Sequence, residues 1–281
     1  MRLSIQISVT SGGSLRQTLQ LLNQMASPEV EVVVVNSGGG RAVSELCRAF
    51  GAHEIAETCG LLKSRFLGLI NSSGEYCLIL DETRVPSVQL INYILENPAS
   101  MMVIPEIQSG TGIVNWLDSI DKRLTLESSV ADSAIESKVV PRLYSCALLR
   151  ATFQNIRGNL GSRLFEQVVA KDDRIIFIEA ARHSTESARV APIPLYHVNR
   201  TNLLLEIRKY QRYGLTSRLL IGTPYEPLLH LSGRVRRLDS IWDSPVLILY
   251  ALRAISYLFG LYVLGGRPNP CSTRALTPPP P

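Results

Sequence analysis

The chain has 281 residues, of which 46% are hydrophobic, and its 29 Lys and Arg residues against 24 Asp and Glu give a formal net charge of +5. This composition excludes general disorder, and the length fits one large α/β domain with an appendage or two small domains. The five cysteines form no C-x-x-C pair, so a disulfide framework and a zinc site are not indicated, and a reducing compartment is favoured.

The charge is unevenly distributed along the chain. Residues 1–193 contain 18 basic and 20 acidic side chains, whereas residues 194–281 contain 11 basic and 4 acidic ones. An anionic partner of the C-terminal part is therefore expected. Nucleic acid is one candidate, but an apolar stretch at residues 246–264 favours a membrane surface. The first residues lack the apolar run of a signal peptide, so we expect the chain to begin in the cytoplasm.

The first third of the sequence alternates between strand and helix patterns. Residues 3–9 and 30–35 are predicted strands, the second being a β-branched run typical of a parallel sheet buried on both faces. Residues 14–25 have apolar side chains at helical spacing. Helices are also predicted at 42–50 and 61–72, followed by a strand at 75–80 that ends at Asp81. The alternation predicts an α/β fold with a mostly parallel central sheet flanked by helices.

The second half has weaker patterns. Residues 108–138 are polar and irregular, and we interpret them as a substrate-side loop. A helix around 164–170, a strand at 174–178 and a strand ending at Tyr196-His197 are predicted to follow, and residues 201–213 are predicted to form a capped helix stopped by Gly214. The predicted organisation is an α/β domain at 1–200, a basic and apolar helical extension at 201–265, and a disordered Pro-rich tail at 266–281.

An acidic pair, Asp81 and Glu82, stands at the predicted carboxyl end of a buried strand, where ligands bind in open α/β sheets. It is preceded by Lys63-Ser64-Arg65-Phe66-Leu67-Gly68 and by Gly74-Glu75-Tyr76, and followed by Thr83. From the first strand to about residue 214, this pattern resembles the inverting family-2 glycosyltransferases, which have the GT-A fold.

The resemblance implies a binding site for a nucleotide-sugar donor. It places Asn36 and Ser37 at the nucleoside, with Asn36 where the family has an Asp. It places Arg65 near the diphosphate and His197 near the diphosphate or its metal. The alternatives are an ordinary glycine-rich turn, a solvated helix charge and a structural histidine.

The resemblance also implies a divalent cation, Mg²⁺ or Mn²⁺. The family motif is Asp-x-Asp, whereas this chain has Asp81-Glu82-Thr83. Asp81 with help from Glu82 would hold the cation together with the donor phosphates, because one or two carboxylates suffice for such ions. The alternatives are a surface acidic pair and a donor site that works without metal.

Inverting transfer requires a general base for the acceptor hydroxyl. The resemblance assigns this role to Glu166, which is followed by Gln167 where an Asp is expected. The alternative is a glutamate on the surface of a helix. Asp172 and Asp173 are interpreted as a helix-to-strand turn. Arg142 and Arg212 are predicted to face anionic groups of the ligands, or else to belong to a solvated basic face.

The apolar stretch 246–264 would span roughly 28 Å as a helix, and its only charged residue is Arg253. Tyr250, Arg253, Tyr257 and Gly260 form a narrow polar stripe at helical spacing, which predicts a helix lying in the membrane interface with Arg253 reaching the headgroups. A basic and aromatic flank supports this interpretation; its residues are Arg234, Arg236, Arg237 and Trp242. The alternative is a buried helix or an oligomer interface.

The sequence therefore predicts a nucleotide-sugar-dependent glycosyltransferase at the cytoplasmic face of the membrane. It would transfer a sugar, with inversion, to a lipid-linked or polysaccharide acceptor, and nucleic acid is not expected as a partner. One alternative is a degenerate, non-catalytic binding protein, favoured by Asn36, Thr83 and Gln167. The other is a nucleotidyltransferase, although its usual phosphate loop is not evident at residues 11–14.

Overall fold

The computed structural model describes residues 2–11, 13–25, 27–128, 139–198, 202–229 and 244–264. The strands in these ranges are β1 (Leu3–Val9), β2 (Val30–Asn36), β3 (His53–Ala56), β4 (Tyr76–Asp81), β5 (Arg84–Val85), β6 (Met101–Val103), β7 (Glu106–Ser109), β8 (Leu143–Ser145), β9 (Arg189–Val190) and β10 (Leu195–Val198). The α-helices are α1 (Leu15–Met25), α2 (Gly40–Ala49), α3 (Leu61–Ile70), α4 (Val88–Glu96), α5 (Ile113–Ser128), α6 (Cys146–Gln167), α7 (Asp172–His183), α8 (Leu203–Ser217) and α9 (Val246–Leu258), the last continued by a π-helical turn, Phe259–Val263.

The main sheet has seven strands in the order β3-β2-β1-β4-β8-β6-β9. Strands β3, β2, β1 and β4 are mutually parallel, and β8 is antiparallel to both β4 and β6. All seven residues of β1 are buried, as expected for a strand covered on both faces. The predicted α/β fold with a mostly parallel central sheet is confirmed.

Helices cover both faces of this sheet. On one face, Leu15 and Leu19 of α1 pack in one apolar cluster with Ile91 of α4. On the other face, Leu62 of α3 and Phe153 of α6 share a cluster with Ile176 of α7. The main sheet separates these two apolar clusters. Together they hold its strands in place from both faces.

A smaller sheet has the order β5-β10-β7. In its register, His197 of β10 pairs with Arg84 of β5 on one side and with Gln108 of β7 on the other. This sheet therefore brings a histidine, an arginine and a glutamine together immediately after the end of β4.

Two predicted elements of the second half are wrong, and one strand of the first half has no sequence prediction. Residues 174–178 are not a strand but lie within α7, because a continuous apolar run fits a buried helix as well as a buried strand. The predicted loop at 108–138 contains the end of β7 and the whole of α5, while residues 129–138 lie outside the described residues. The sequence also gave no indication of β3, a short and half-exposed edge strand.

Gly214 does not stop α8, which continues to Ser217. A Cβ atom on Gly214 would lie 2.0 Å from the carbonyl oxygen of Tyr257, and one on Gly260 would lie 2.0 Å from that of Gln211. Both glycines therefore serve close backbone packing between α8 and the C-terminal helix rather than helix termination.

The C-terminal helix is oriented opposite to the prediction. The segment Val246–Val263 is long and apolar enough to cross a membrane by length and composition, with a mean hydropathy of 1.8. However, its polar stripe faces the protein: Arg253 Nε donates to Glu206 at 2.7 Å, and its Nη atoms donate to Asp118 at 2.7 Å and Asp121 at 2.9 Å. Arg253 is therefore buried in an acidic pocket and does not reach outward to headgroups.

Other predictions for the C-terminal region fall outside the described residues. These are the basic and aromatic flank (Arg234, Arg236, Arg237 and Trp242), the tail 266–281 and the domain boundary near residue 200. Within the described residues, α9 is tied to α5 through Arg253, whose partners Asp118 and Asp121 lie on α5.

Candidate functional site

The carboxyl ends of β1, β2 and β4 meet at one edge of the main sheet. Val9 pairs with Asn36 and Ser8 pairs with Asp81, so the loops after these strands are neighbours. This is the edge where ligands bind in open α/β sheets. The predicted donor residues Asn36, Ser37 and Asp81 are thus brought together along it.

Asn36 is held by the turn that it begins. Its side-chain nitrogen donates to Glu54 at 2.8 Å and to the Gly40 carbonyl at 3.1 Å, and its side-chain oxygen accepts from the Gly39 amide at 2.9 Å. Asn36 is 7% exposed. The side-chain amide of Asn36 therefore stabilises the turn. Of the two residues predicted at the nucleoside, Ser37 is the one that remains at the edge of the main sheet.

Glu82 is committed to the loop that follows β1. Its carboxylate accepts from the backbone amides of Thr10 and Ser11 at 3.2 and 2.9 Å, and from their hydroxyls at 3.0 and 2.8 Å. These four bonds fix the loop between β1 and α1. The Glu82 carboxylate therefore points towards this loop and away from the place next to Asp81 where a donor or a cation would bind.

Asp81 is surrounded by donors from its own turn. One oxygen accepts from the amide of Thr83 at 3.0 Å and from the Thr83 hydroxyl at 2.5 Å, and the other is paired with the Arg84 guanidinium. About a quarter of the Asp81 side chain is exposed (27%). Thr83, which stands where the family has a second Asp, therefore acts as a donor to the first.

Glu106 connects three cationic side chains. It contacts Arg84 at 2.6 Å, Arg142 at 3.1 Å and Lys122 at 3.3 Å. Burial by itself would raise the pKa of Glu106, but Arg84, Arg142 and Lys122 outweigh that effect and hold it well below its usual value. Glu106 is thus ionised at neutral pH and keeps the three cations together, and we refer to these four side chains as the Glu106 cluster.

His197 lies against the Glu106 cluster as an uncharged ring. Its Nδ1 atom is 2.8 Å from Oε1 of Gln108 and also contacts the Lys122 ammonium. Burial and the positive charges of Arg84 and Lys122 lower the pKa of His197 to about 3. The placement of His197 near the donor diphosphate or its metal stays a prediction.

Two aspartates at the start of α7 complete the site. Asp172 is buried and paired with Arg65 on α3, and burial raises its pKa although Arg65 opposes the shift. Asp173 is 35% exposed, with a carboxylate oxygen 3.9 Å from Arg142. Burial would raise the pKa of Asp173, but Arg142, Arg65 and Arg84 hold it below the usual value, so this carboxylate is ionised and accessible.

The sequence interpretation missed Asp173 because it treated residues 172–173 as a turn before a strand. Two acidic residues in the first turn of a helix are themselves a recognisable signal, since they complement the helix dipole. Arg84, Glu106 and Lys122 gave no local signal, because their association depends on the second sheet and on α5.

Glu166 lies apart from this arrangement. It is the second-last residue of α6, its side chain is 56% exposed, and its carboxylate is 3.1 Å from the Lys63 ammonium. The premise of its assignment, a strand at 174–178, is wrong. Arg212 is exposed on α8, whereas Arg142 is buried in the Glu106 cluster.

Comparisons with solved structures identify the fold. The chain is similar to Staphylococcus aureus TarS in complex with UDP-GlcNAc, with a TM-score of 0.57 and 16% identity over 94% of this chain and 76% of that one. It is also similar to the mannosyltransferase PcManGT from Pyrobaculum calidifontis in complex with GDP-Man and Mn²⁺, with a TM-score of 0.54 and 17% identity over 94% and 86%. No protein-family model and no curated protein matches the sequence. At these identities the comparisons establish the fold alone, which is the GT-A fold.

The residues at the end of β4 do not fit a divalent cation. Asp81 is paired with Arg84, Glu82 is directed at the β1 loop, and Thr83 provides a hydroxyl in place of a carboxylate. Among the described residues, no three His, Cys, Asp or Glu side chains form a group that could hold a metal ion. The predicted roles of Asp81 and Glu82 as metal ligands are therefore not supported by the geometry.

Proposed function

We propose that this protein is a glycosyltransferase that moves a sugar from a nucleotide-sugar donor to a lipid-linked or polysaccharide acceptor, with inversion, at the cytoplasmic face of a membrane. The observation that carries this proposal is the position of an accessible, ionised carboxylate, Asp173, beside the cationic Glu106 cluster at the ligand-binding edge of a GT-A sheet. The reaction needs a base for the acceptor hydroxyl and positive charge for the departing diphosphate, and these groups lie side by side here.

In the proposed reaction, an acceptor hydroxyl attacks the anomeric carbon of the donor sugar while the bond to the nucleoside diphosphate breaks on the opposite face. Asp173 accepts the proton of that hydroxyl. Charge develops on the departing diphosphate, and preorganised cations such as Arg142 stabilise it without reorganisation. We assign the base to Asp173 in preference to Glu166, because Asp173 is 35% exposed beside the Glu106 cluster, whereas Glu166 lies apart from it and is paired with Lys63.

The membrane part of the proposal rests on the outward face of α9 and of the π-helical turn that continues it. Its large exposed side chains are all apolar or aromatic: Leu247, Ile248, Ile255, Leu258, Phe259, Tyr262 and Val263. The only charged residue of the segment, Arg253, points inward, so the outward face offers water no charged group. A face of this kind fits the headgroup–acyl boundary of a bilayer, and the basic composition of residues 194–281 complements anionic lipids.

The experiment is a donor screen followed by a turnover assay. UDP-GlcNAc and GDP-mannose, the ligands of the two similar structures, are tested by thermal shift, and release of nucleoside diphosphate is then measured with a lipid-phosphate acceptor in vesicles. We expect one donor to raise the melting temperature and to be turned over, and Asp173→Asn to lose turnover because it lacks the proposed base. Absence of stabilisation by any nucleotide sugar would contradict the proposal.

A second candidate is a non-catalytic binding protein on the same scaffold. The internal engagement of Asn36, Asp81 and Glu82 favours it, since these side chains are already satisfied within the protein. It predicts that a nucleotide sugar stabilises the protein but is never turned over with any acceptor, which the same assay measures.

A further inference from the structure

We infer that the Arg84 guanidinium takes the place that a divalent cation would have at the end of β4, so that the donor diphosphate binds without metal. This inference rests on the proposed function for the identity of the ligand. It concerns a property of the site that can also be measured without any nucleotide, namely its affinity for Mn²⁺.

The first observation is the saturation of Asp81. Its two oxygens accept from the Thr83 amide, the Thr83 hydroxyl and the Arg84 guanidinium. Only 13% of the Arg84 side chain is exposed, and a second carboxylate, Glu106, binds its Nε at 2.6 Å. A metal cation at Asp81 would have to displace Arg84, which is mostly buried and paired with both Asp81 and Glu106. The cation would then lie next to the positively charged guanidinium.

The second observation is that neither neighbour of Asp81 can supply a second carboxylate. Glu82 satisfies the backbone amides of Thr10 and Ser11. Turning it towards a cation would leave both amides without their acceptor. The hydroxyl of Thr83 is neutral and already donates to Asp81, whereas Mg²⁺ and Mn²⁺ prefer anionic oxygen ligands.

The third observation is that the site already contains the positive charge that a cation would contribute. Arg84, Arg142 and Lys122 surround Glu106 within 3.3 Å. A guanidinium presents a planar set of donors that matches phosphate oxygens. In addition, Arg65 is 4% exposed, and its Nη1 atom has no hydrogen-bond partner among the described residues. It lines a small cavity with Arg142 and Asp173.

The direct test measures Mn²⁺ binding to the full chain in the absence of nucleotide, by electron paramagnetic resonance. Wild type should show no stoichiometric Mn²⁺ site. Arg84→Gln should gain one, because one carboxylate oxygen of Asp81 then loses the guanidinium that occupies it. Arg41→Gln, at an ion pair on α2 with 91% of the arginine exposed, is the control and should behave as wild type. The inference would be overturned if wild type bound Mn²⁺ stoichiometrically and Asp81→Asn did not.

The second test measures UDP and GDP binding by calorimetry, once with EDTA and once with Mn²⁺. We expect the same affinity within about threefold in both, a difference of less than 1 kcal/mol. Binding that needs Mn²⁺ would overturn the inference and leave the proposed function standing. Absence of binding in both conditions would overturn the proposed function, and the diphosphate part of the inference with it.

Arg84→Lys provides a second variant in case Arg84→Gln does not fold, which circular dichroism will show. Lysine keeps the charge but not the planar fork, so we expect weaker nucleoside diphosphate binding that remains independent of Mn²⁺. If both Arg84→Lys and wild type needed Mn²⁺ to bind nucleoside diphosphate, Arg84 would not take the place of the cation.

Discussion

At the scale of single residues, two carboxylates compete for the role of base. Asp173 is 35% exposed and lies 3.9 Å from Arg142, whereas Glu166 is 56% exposed and paired with Lys63 at the end of α6. We expect Asp173→Asn to lower kcat by about 100-fold or more, because a general base contributes at least that factor. Nucleoside diphosphate affinity should be nearly unchanged. Single-turnover kinetics and calorimetry provide the two measurements.

Glu166→Gln is the matched variant for this prediction, since it also removes one negative charge by an isosteric change. It should keep most of the activity. The opposite result, with Glu166→Gln inactive and Asp173→Asn active, would restore the base that the sequence predicted and show that the start of α7 has only a structural role.

His197 gives a pH-dependent stability that can be measured without any ligand. Its pKa is about 3 in the folded protein and near its ordinary value of 6.5 when unfolded. The unfolded chain therefore binds a proton that the folded one does not, and stability falls as the pH decreases from 6.5 towards 3. At pH 5 the loss is about 2 kcal/mol. The groups facing the ring are Arg84, Glu106, Lys122, Asp118 and Gln108.

Urea unfolding of wild type and His197→Gln at pH 7 and pH 5 checks this expectation. The variant should lose less stability than wild type between the two pH values. His53→Gln changes an exposed histidine on β3 and should reproduce the wild-type dependence. Equal pH dependence of His197→Gln and wild type would show that the ring is not held neutral.

At the scale of elements, two glycines determine how α8 and the C-terminal helix pack. Because a Cβ at Gly260 would overlap the Gln211 carbonyl oxygen at 2.0 Å, Gly260→Ala should force the helices apart. We expect a loss of about 1–3 kcal/mol, as for other overpacked interiors. Gly158→Ala is the control: it lies in α6 with nothing near its Cβ position, and alanine favours a helix. Equal melting temperatures for Gly260→Ala and wild type would contradict this packing.

Arg253 holds the same helix by charge. Its guanidinium contacts Asp118, Asp121 and Glu206, and it is 11% exposed. Arg253→Met should cost about 3–5 kcal/mol of unfolding free energy, because it leaves buried carboxylates without their counter-ion. Arg41→Met, at an exposed pair, should be neutral. A stable Arg253→Met variant that instead no longer binds vesicles would support the predicted contact with headgroups.

At the scale of the whole molecule, the proposed membrane association can be tested on the apolar outward face of α9. The full chain should sediment with anionic vesicles, and high salt should release only part of it, because salt screens charges but does not weaken apolar contacts. Ile248→Glu with Ile255→Glu should abolish sedimentation, since both side chains are about 70% exposed (72% and 68%). Ile70→Glu, at an exposed isoleucine on α3, is the matched control.

Point variants suit this test better than truncation. Removing the C-terminal helix would also remove Arg253 and leave Asp118 and Glu206 without this counter-ion. Sedimentation that survives Ile248→Glu with Ile255→Glu would contradict the membrane proposal. Dimerisation in analytical ultracentrifugation without vesicle binding would show that a second copy covers this face.

The amino-acid sequence by itself determined the parts whose signals are local. β1, β2 and β4 are apolar enough to be recognised as buried strands, and Asp81 follows the last of them directly. Since parallel strands share an edge, the location of the site followed as well. The GT-A fold is implied by the resemblance of the residues around Asp81 to family-2 glycosyltransferases.

Only the tertiary structure decided which charged groups meet. Arg253 finds Glu206 47 residues away and Asp118 135 residues away, and this pairing reversed the predicted orientation of the helix. Arg84 pairs with Asp81 close by in sequence and reaches Glu106 only because β5 and β7 lie in the same small sheet. An ion pair depends on distance in space, and neither residue type nor spacing along the chain encodes that distance. The apolar run in α7 was ambiguous for a related reason, because burial on all sides removes the periodicity that separates a helix from a strand.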